Sequence, residues 1–252
     1  YEFGLKEAIG KCLVPYDYYV HTLYLNDDEM DKWIECSKNI QRLTAIHNGD
    51  FDHPDLKSKL RERSKISAIA EGKIASLSRA LDQENPREIK YTIIYVTDSD
   101  PQQLIDVKAM LEKKGLKGRQ MTQEESPKQR REIMRLFKDK IFQILTAKRV
   151  LDEGVNIPVI ESGYILASLS QERQWTQRRG RMLRKAQGKE KASIHDFLVM
   201  PPSNVEFKYQ KKLIEREFER IQEFAEISSN YYDESGASSL MQELNEKYLT
   251  KN

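Results

Sequence analysis

Cysteine is nearly absent from this sequence: Cys12 and Cys36 are the only two in 252 residues. One pair cannot staple a disulfide scaffold, and no Cys/His cluster has metal-ligand spacing, so neither a zinc finger nor another metal site is expected. A reducing, cytoplasmic compartment is the default expectation. Long apolar runs are missing too, and mean hydropathy is −0.72, so no segment reads as a membrane span. Net charge of one sign is also lacking: 42 Lys+Arg stand against 40 Asp+Glu, giving +2. Overall charge therefore selects no partner. Apolar residues make up 38% and charged residues 33%, which suits long solvated helices around a modest core. Disorder is disfavoured because apolar residues recur at regular spacing. No internal repeat is visible. The first residue is Tyr1 rather than Met, so the chain reads as a piece of something longer.

The small net charge conceals an uneven distribution. Residues Gln171 to Lys191 carry 8 Lys/Arg against 2 Asp/Glu, and Lys108 to Lys140 carry 11 against 5. Two basic segments in an otherwise acidic chain are what an anion-binding surface needs. Solvated helix faces would look the same from charge alone.

The patterning predicts four parts. Residues 1–26 form a lead-in that ends in a β-branched and aromatic strand, Asp17 to Leu25. Residues 27–88 form a helical hairpin. Asn26 and Glu29 make a capping box for its first helix, with Met30, Trp33, Ile34, Ser37 and Ile40 on one face. Pro54 opens its second helix, which bends near Gly72. Residues 89–200 alternate strands and helices. The predicted strands are Tyr91 to Val96, Arg119 to Thr122, Ile141 to Thr146, Tyr164 to Ala167 and Ser193 to Val199. Between them come helices capped at Asp100-Pro101 and Ser126-Pro127, then one over about 170–183. That order describes an α/β fold with a parallel sheet flanked by helices. Residues 201–252 form a C-terminal helical extension after Pro201-Pro202.

Several chemistries are absent. No G-x-x-x-x-G-K-[ST] loop, no G-x-G-x-x-G after a strand and no G-x-S-x-G elbow occurs. Four histidines, His21, His47, His53 and His195, are scattered along the chain and read as structural.

What stands out is Gln177-Arg178-Arg179-Gly180-Arg181-Met182-Leu183-Arg184. On a helix, Arg181 and Arg184 project from one face about 5–6 Å apart at Cβ. Two guanidiniums that close repel each other unless an anion bridges them, and their planar forks suit phosphate oxygens. About twenty residues earlier, Leu145 to Pro158 leaves a strand through Lys148, turns at Gly154 and ends at Asn156-Ile157-Pro158. In an open parallel sheet, loops at the carboxyl ends of strands are where ligands sit.

This pair of motifs resembles motifs V and VI of superfamily 2 helicases and translocases, with Ile93 to Asp98 standing where motif IV would be. The subgroup it looks most like is the DEAH-type translocases of restriction and repair systems. In those proteins a stretch similar to Glu7 to Tyr16 leads out of a first lobe. The resemblance implies the second of two RecA-like lobes, with ATP and Mg²⁺ held mainly by an N-terminal lobe of the same protein. It implies that Arg181 and Arg184 reach the γ-phosphate, that Gln177 positions the attacking water, and that Gly154 and Asn156 lie beside the nucleotide. Asn156 stands where many members have Asp. The resemblance further implies that Lys148 and Thr97 contact nucleic acid, with DNA favoured over RNA by the subgroup. A non-enzymatic adaptor built on the same sheet is the alternative, though an adaptor has no need of the arginine pair.

Overall fold

A computed structural model describes residues 5–122, 124–148, 159–167, 180 and 182–249. A short helix, α1 (Leu5–Ala8), precedes the long strand β1 (Tyr16–Tyr24). Three helices follow: α2 (Asp27–Ile46), α3 (Pro54–Ile69) and α4 (Gly72–Asp82). Then β2 (Thr92–Tyr95), α5 (Pro101–Lys113), β3 (Gly118–Met121), α6 (Pro127–Lys138) and β4 (Ile144–Ala147) alternate. The chain continues through β5 (Ser162–Ile165), β6 (Ala192–Met200), α7 (Phe207–Glu226) and α8 (Ser238–Leu244).

The six strands form one sheet in the order β1-β6-β5-β2-β4-β3, and every pairing is parallel. The α/β architecture expected from the sequence is therefore present. β2 and β4 are buried at every position, because helices cover both faces of a parallel sheet. On one face Tyr16, Tyr18, Ile93, Tyr95, Leu145 and Ile194 pack under α6 and α7. On the other, Ile94, Val96, Tyr164, Phe197 and Val199 pack with Met30 and Trp33 of α2, Leu77 of α4 and Val107 of α5.

Local signals explain most element ends. Asn26 and Glu29 form the expected reciprocal capping box on α2, and Ser126 with Gln129 forms another on α6. Pro54, Pro101 and Pro127 sit in the first turns of α3, α5 and α6, where the missing N–H costs nothing. The second hairpin helix breaks rather than bends. Ala70 turns extended (φ −44°, ψ 129°) and separates α3 from α4. α4 then lies close on β1: a Cβ at Gly72 would come within 3.2 Å of Leu23 Cδ1. β4 begins at Ile144, not Ile141, since Ile141 is half-exposed and the backbone turns at Lys140 with φ +59°.

Both edges of the sheet are protected. Along β1, Asn230 receives the Tyr18 N–H at 2.8 Å and donates to the Tyr18 carbonyl at 3.3 Å, while Ser229 N–H bonds the Tyr16 carbonyl. A side-chain amide thus completes the ladder where no strand does. β3 is only four residues long and carries Arg119, which discourages edge-to-edge pairing. Among the described residues no helix is long and apolar enough to cross a membrane, and both cysteines are free.

Candidate functional site: two ends of one sheet

The parallel register aligns all the carboxyl ends on one side. Tyr95 lies level with Ala147 and Ile165, and Ile165 with Asp196. Beyond that line, Val96 N–H bonds the Ala147 carbonyl at 3.0 Å and Leu166 N–H bonds the Tyr95 carbonyl at 3.0 Å. Lys148 follows β4 directly and is half-buried at this edge, beside the turn Thr97-Asp98-Ser99 after β2.

That turn differs from the expectation for Thr97. Its side chain is 2% exposed, its hydroxyl lies 2.7 Å from Ser99 Oγ, and its N–H bonds Gln103 Oε1 at 2.8 Å. Gln103 in turn donates to the Ala68 carbonyl at the end of α3. Thr97 therefore shapes the turn, and the exposed groups are Asp98 and Ser99.

Arg184 lies at the opposite end. It forms an antiparallel bridge with Leu13, and Val14 N–H bonds the Leu183 carbonyl at 2.8 Å. Leu13 precedes the first residue of β1, and β1 runs parallel to its neighbours, so this bridge marks the amino-terminal end of the sheet. At a strand rise of about 3.3 Å per residue, Leu13 and the Lys148 edge are separated by roughly 20 Å. The structure does not bring Arg184 together with Lys148 and Thr97. Gln177, Arg181, Gly154 and Asn156 lie outside the described residues, as does most of the expected helix over 170–183.

The segment bearing Arg184 is held from three sides. Met182 and Leu183 are buried, and a Cβ at Gly163 of β5 would overlap Met182 Sδ. Lys189 is 8% exposed; its ammonium donates to the Met182 carbonyl and, at 3.2 Å, to the Arg184 carbonyl. Burial brings the Lys189 pKa down to about 8, with the Glu161 carboxylate opposing the shift. Lys185 donates to the Gly10 carbonyl at 2.7 Å, fastening the segment to the lead-in. Lysine at a helix end suits orphan carbonyls. Sequence reasoning missed Lys189 and Gly163. The glycine inside a strand was a readable sign of close approach, whereas nothing local marked Lys189.

Gly163→Val is expected to displace Met182 and destabilise the chain by about 2–3 kcal/mol, the usual scale for overpacking a buried site. Urea unfolding measures it. Met182→Ala in the same chain should recover part of the loss, since it empties the space the new side chain enters. Equal losses with and without Met182→Ala would disconnect the two residues.

Residues 72–186 match the helicase conserved C-terminal domain family. The DNA 3'-5' translocase XPB2 of Sulfurisphaera tokodaii is 22% identical over 202 residues, covering 73% of this chain and 44% of that protein. Among solved structures, the C-terminal part of the Fun30 ATPase domain matches with a TM-score of 0.54 and 14% identity. It covers 93% of this chain and 98% of that one. The stretch 72–186 is thus similar to the conserved C-terminal domain of helicases, and the sheet that contains it is of the RecA-like α/β kind.

The chain spans less than half the length of the translocase it matches. The family match ends at Ala186, two residues past Arg184, and so takes in both arginine-bearing and Lys148-bearing segments. β1 and β6, which pair along nine residues, extend the sheet of the lobe beyond the matched stretch on its other side. The donor set on the described part of the lobe is cationic at each end: Arg184 suits a phosphate oxygen, and Lys148 a phosphate by charge. Among the described residues, the one His/carboxylate group able to hold a metal is His47, His53 and Asp55, in the α2–α3 loop. Its two imidazoles stack at 3.5 Å between centroids.

Proposed function

We propose that this chain is the second lobe of an ATP-driven helicase or translocase acting on DNA. In this reading Arg184, with Arg181, reaches the γ-phosphate of ATP bound by a companion N-terminal lobe. The observation that carries it is the mounting of Arg184 on a segment fixed by Met182, Lys189 and Leu13, at the end of the sheet away from Lys148. Two separated cationic ends suit two tasks, nucleotide phosphates at one and nucleic-acid backbone at the other. DNA is favoured over RNA because the matched relative is named a DNA translocase.

Bound ATP with Mg²⁺ would supply the phosphoryl group and the metal's charge neutralisation. No Walker A sequence occurs in this chain, which is why the nucleotide is assigned to the other lobe. The guanidiniums then stabilise charge that develops on the γ-phosphate, a role worth roughly 10³–10⁵ in rate for arginine fingers. Gln177 would orient the attacking water, and Gly154 and Asn156 would lie near the nucleotide. Lys148 holds a backbone phosphate by charge, with Thr97 keeping the neighbouring turn in shape. Lobe closure on ATP and opening after hydrolysis would move the nucleic acid. The two free cysteines agree with a cytoplasmic setting.

The purified chain is expected to show no ATPase activity above background and weak, salt-sensitive DNA binding. Replacing Lys148 by Ala should weaken binding about equally on all sequences and reduce the salt slope by roughly one unit. Titrations at several salt concentrations measure it. Binding that ignores salt would remove the basic surface from the contact. Turnover by the chain alone would place a nucleotide site within this lobe and overturn the division of labour.

A further inference from the structure

The loop between α2 and α3 brings three metal-ligating side chains to one spot. Its path is set by the backbone: Asn48 (φ 50°) and Gly49 (φ 79°) reverse the chain after α2. The Asp50 N–H then bonds the His47 carbonyl at 2.9 Å, and the His53 N–H bonds the Asp50 carbonyl at 3.2 Å. Two such turns in succession fold the loop back on itself. His47 at the end of α2 therefore meets His53 at the start of α3, ring on ring, with the planes 16° apart. One nitrogen of each imidazole and a carboxylate oxygen of Asp55 all lie within 4.8 Å of one another. Asp55 Oδ2 is 3.9 Å from His47 Nε2 and 3.8 Å from His53 Nδ1.

The donor set and its surroundings favour a cation. His53 Nδ1 accepts the Asp55 N–H at 3.3 Å, so that nitrogen carries a lone pair rather than a proton. Metal ligation takes this neutral form of the imidazole. Residues 47–57 hold three carboxylates, Asp50, Asp52 and Asp55, against one lysine, and Lys57 is paired with Asp52 at 2.8 Å. Around zinc, with bonds of about 2.1 Å, ligand atoms stand about 3.3–3.5 Å apart. The carboxylate-to-imidazole distances here are only slightly longer. An ion shared by both rings lies in the plane of each, so binding turns the imidazoles out of their stack. Side-chain rotation suffices, because the side chains of His47, His53 and Asp55 are 21%, 33% and 67% exposed.

We propose that His47, His53 and Asp55 bind one divalent transition-metal ion of the zinc type at the tip of the helical hairpin. Two imidazoles and one carboxylate suit a borderline ion such as Zn²⁺ and discriminate against Mg²⁺, which prefers oxygen ligands. Three protein ligands leave the fourth position of tetrahedral zinc to water. The ion joins the end of α2 to the first turn of α3 and so fixes the hairpin tip. No such site is expected from the sequence, where no cysteine accompanies the two histidines; the fold supplies a carboxylate in its place. No residue assigned to ATP or to nucleic acid takes part, so the site stands apart from the ATPase reading.

The test uses the chain without an affinity tag, stripped with chelator and titrated with zinc chloride or magnesium chloride by calorimetry and thermal unfolding. Zn²⁺ should bind at one equivalent. At a free concentration about a hundredfold above Kd it should raise the thermal midpoint by about 5–10 °C. His47→Gln and Asp55→Asn should each weaken zinc binding by about tenfold or more. Both leave the His53 cap on α3 in place. Asp52→Asn, which removes the partner of Lys57, and Cys12→Ser, which removes the exposed thiol, should keep the wild-type response. With Co²⁺ in place of Zn²⁺, the d–d absorption of a nitrogen-ligated ion should appear in wild type and be lost in His47→Gln. If that variant fails to fold, Asp55→Asn carries the same comparison. Equal zinc affinity in wild type, His47→Gln and Asp55→Asn would overturn the proposal, as would loss of binding in Cys12→Ser or an equal affinity for Mg²⁺.

Discussion

Arg184→Ala in the full-length protein is expected to lower kcat for nucleic-acid-stimulated ATP hydrolysis by roughly 10²–10⁴, with a smaller change in ATP affinity. The asymmetry follows from when the contact forms: a guanidinium that meets the γ-phosphate as the lobes close stabilises the transition state more than bound ATP. The fold should survive. Arg184 is half-buried, and what fixes its segment is the backbone pairing with Leu13, buried Met182 and Leu183, and the Lys189 ammonium on the Met182 and Arg184 carbonyls. None of these needs the arginine side chain. Arg184→Lys should not rescue turnover, because a point charge does not reproduce the planar fork. The same losses are expected for Arg181. Steady-state rates at saturating nucleic acid and ATP measure the effect. A variant within about twofold of wild type, far short of an arginine finger's effect, would move the lobe toward an adaptor role.

The second large effect is acid destabilisation centred on His195. This residue lies in β6, stacked against Tyr164 at 4.2 Å and Tyr19 at 4.9 Å, with its Nδ1 3.0 Å from His21 Nε2. One imidazole donates to the other, so the pair is satisfied only while at least one ring nitrogen stays unprotonated. Burial, reinforced by His21, brings the His195 pKa down to about 3. Burial also lowers that of His21, with Asp196 opposing the shift. An unfolded histidine takes its proton near 6.5. Between those values the unfolded chain binds more protons than the folded one, so stability falls as pH drops below about 6.5 and levels off near 3. The slope is about 1.4 kcal/mol per pH unit, giving a loss of roughly 2–3 kcal/mol by pH 4.5. Urea unfolding at a series of pH values should show it, and His195→Gln should flatten the profile over that range. Parallel profiles for the two proteins would mean that His195 protonates within the fold.

The sequence by itself determined the elements that rest on neighbours in the chain. Asn26 with Glu29 and Ser126 with Gln129 cap helices through atoms three residues apart, so spacing alone located those starts. Runs such as Thr92–Tyr95 and Ile144–Ala147 are apolar because both faces are covered, and that made a parallel sheet readable. The order of Lys148 and the arginine segment along the chain carried the resemblance to superfamily 2. Tertiary structure alone decided which of these residues meet. Parallel pairing places Arg184 and Lys148 at opposite ends of one sheet, a distance that depends on strand direction and register rather than on separation in the chain. Thr97 looked available in the sequence and is buried, because Gln103 reaches back to its N–H from the next helix. The histidines looked scattered, yet His21 meets His195 across β1 and β6, and His47 meets His53 across a loop. Likewise Lys189 and the Arg63–Trp33 contact leave no local pattern. A long side chain reaching a distant carbonyl or ring imposes no period on the sequence, and packing is what selects its partner.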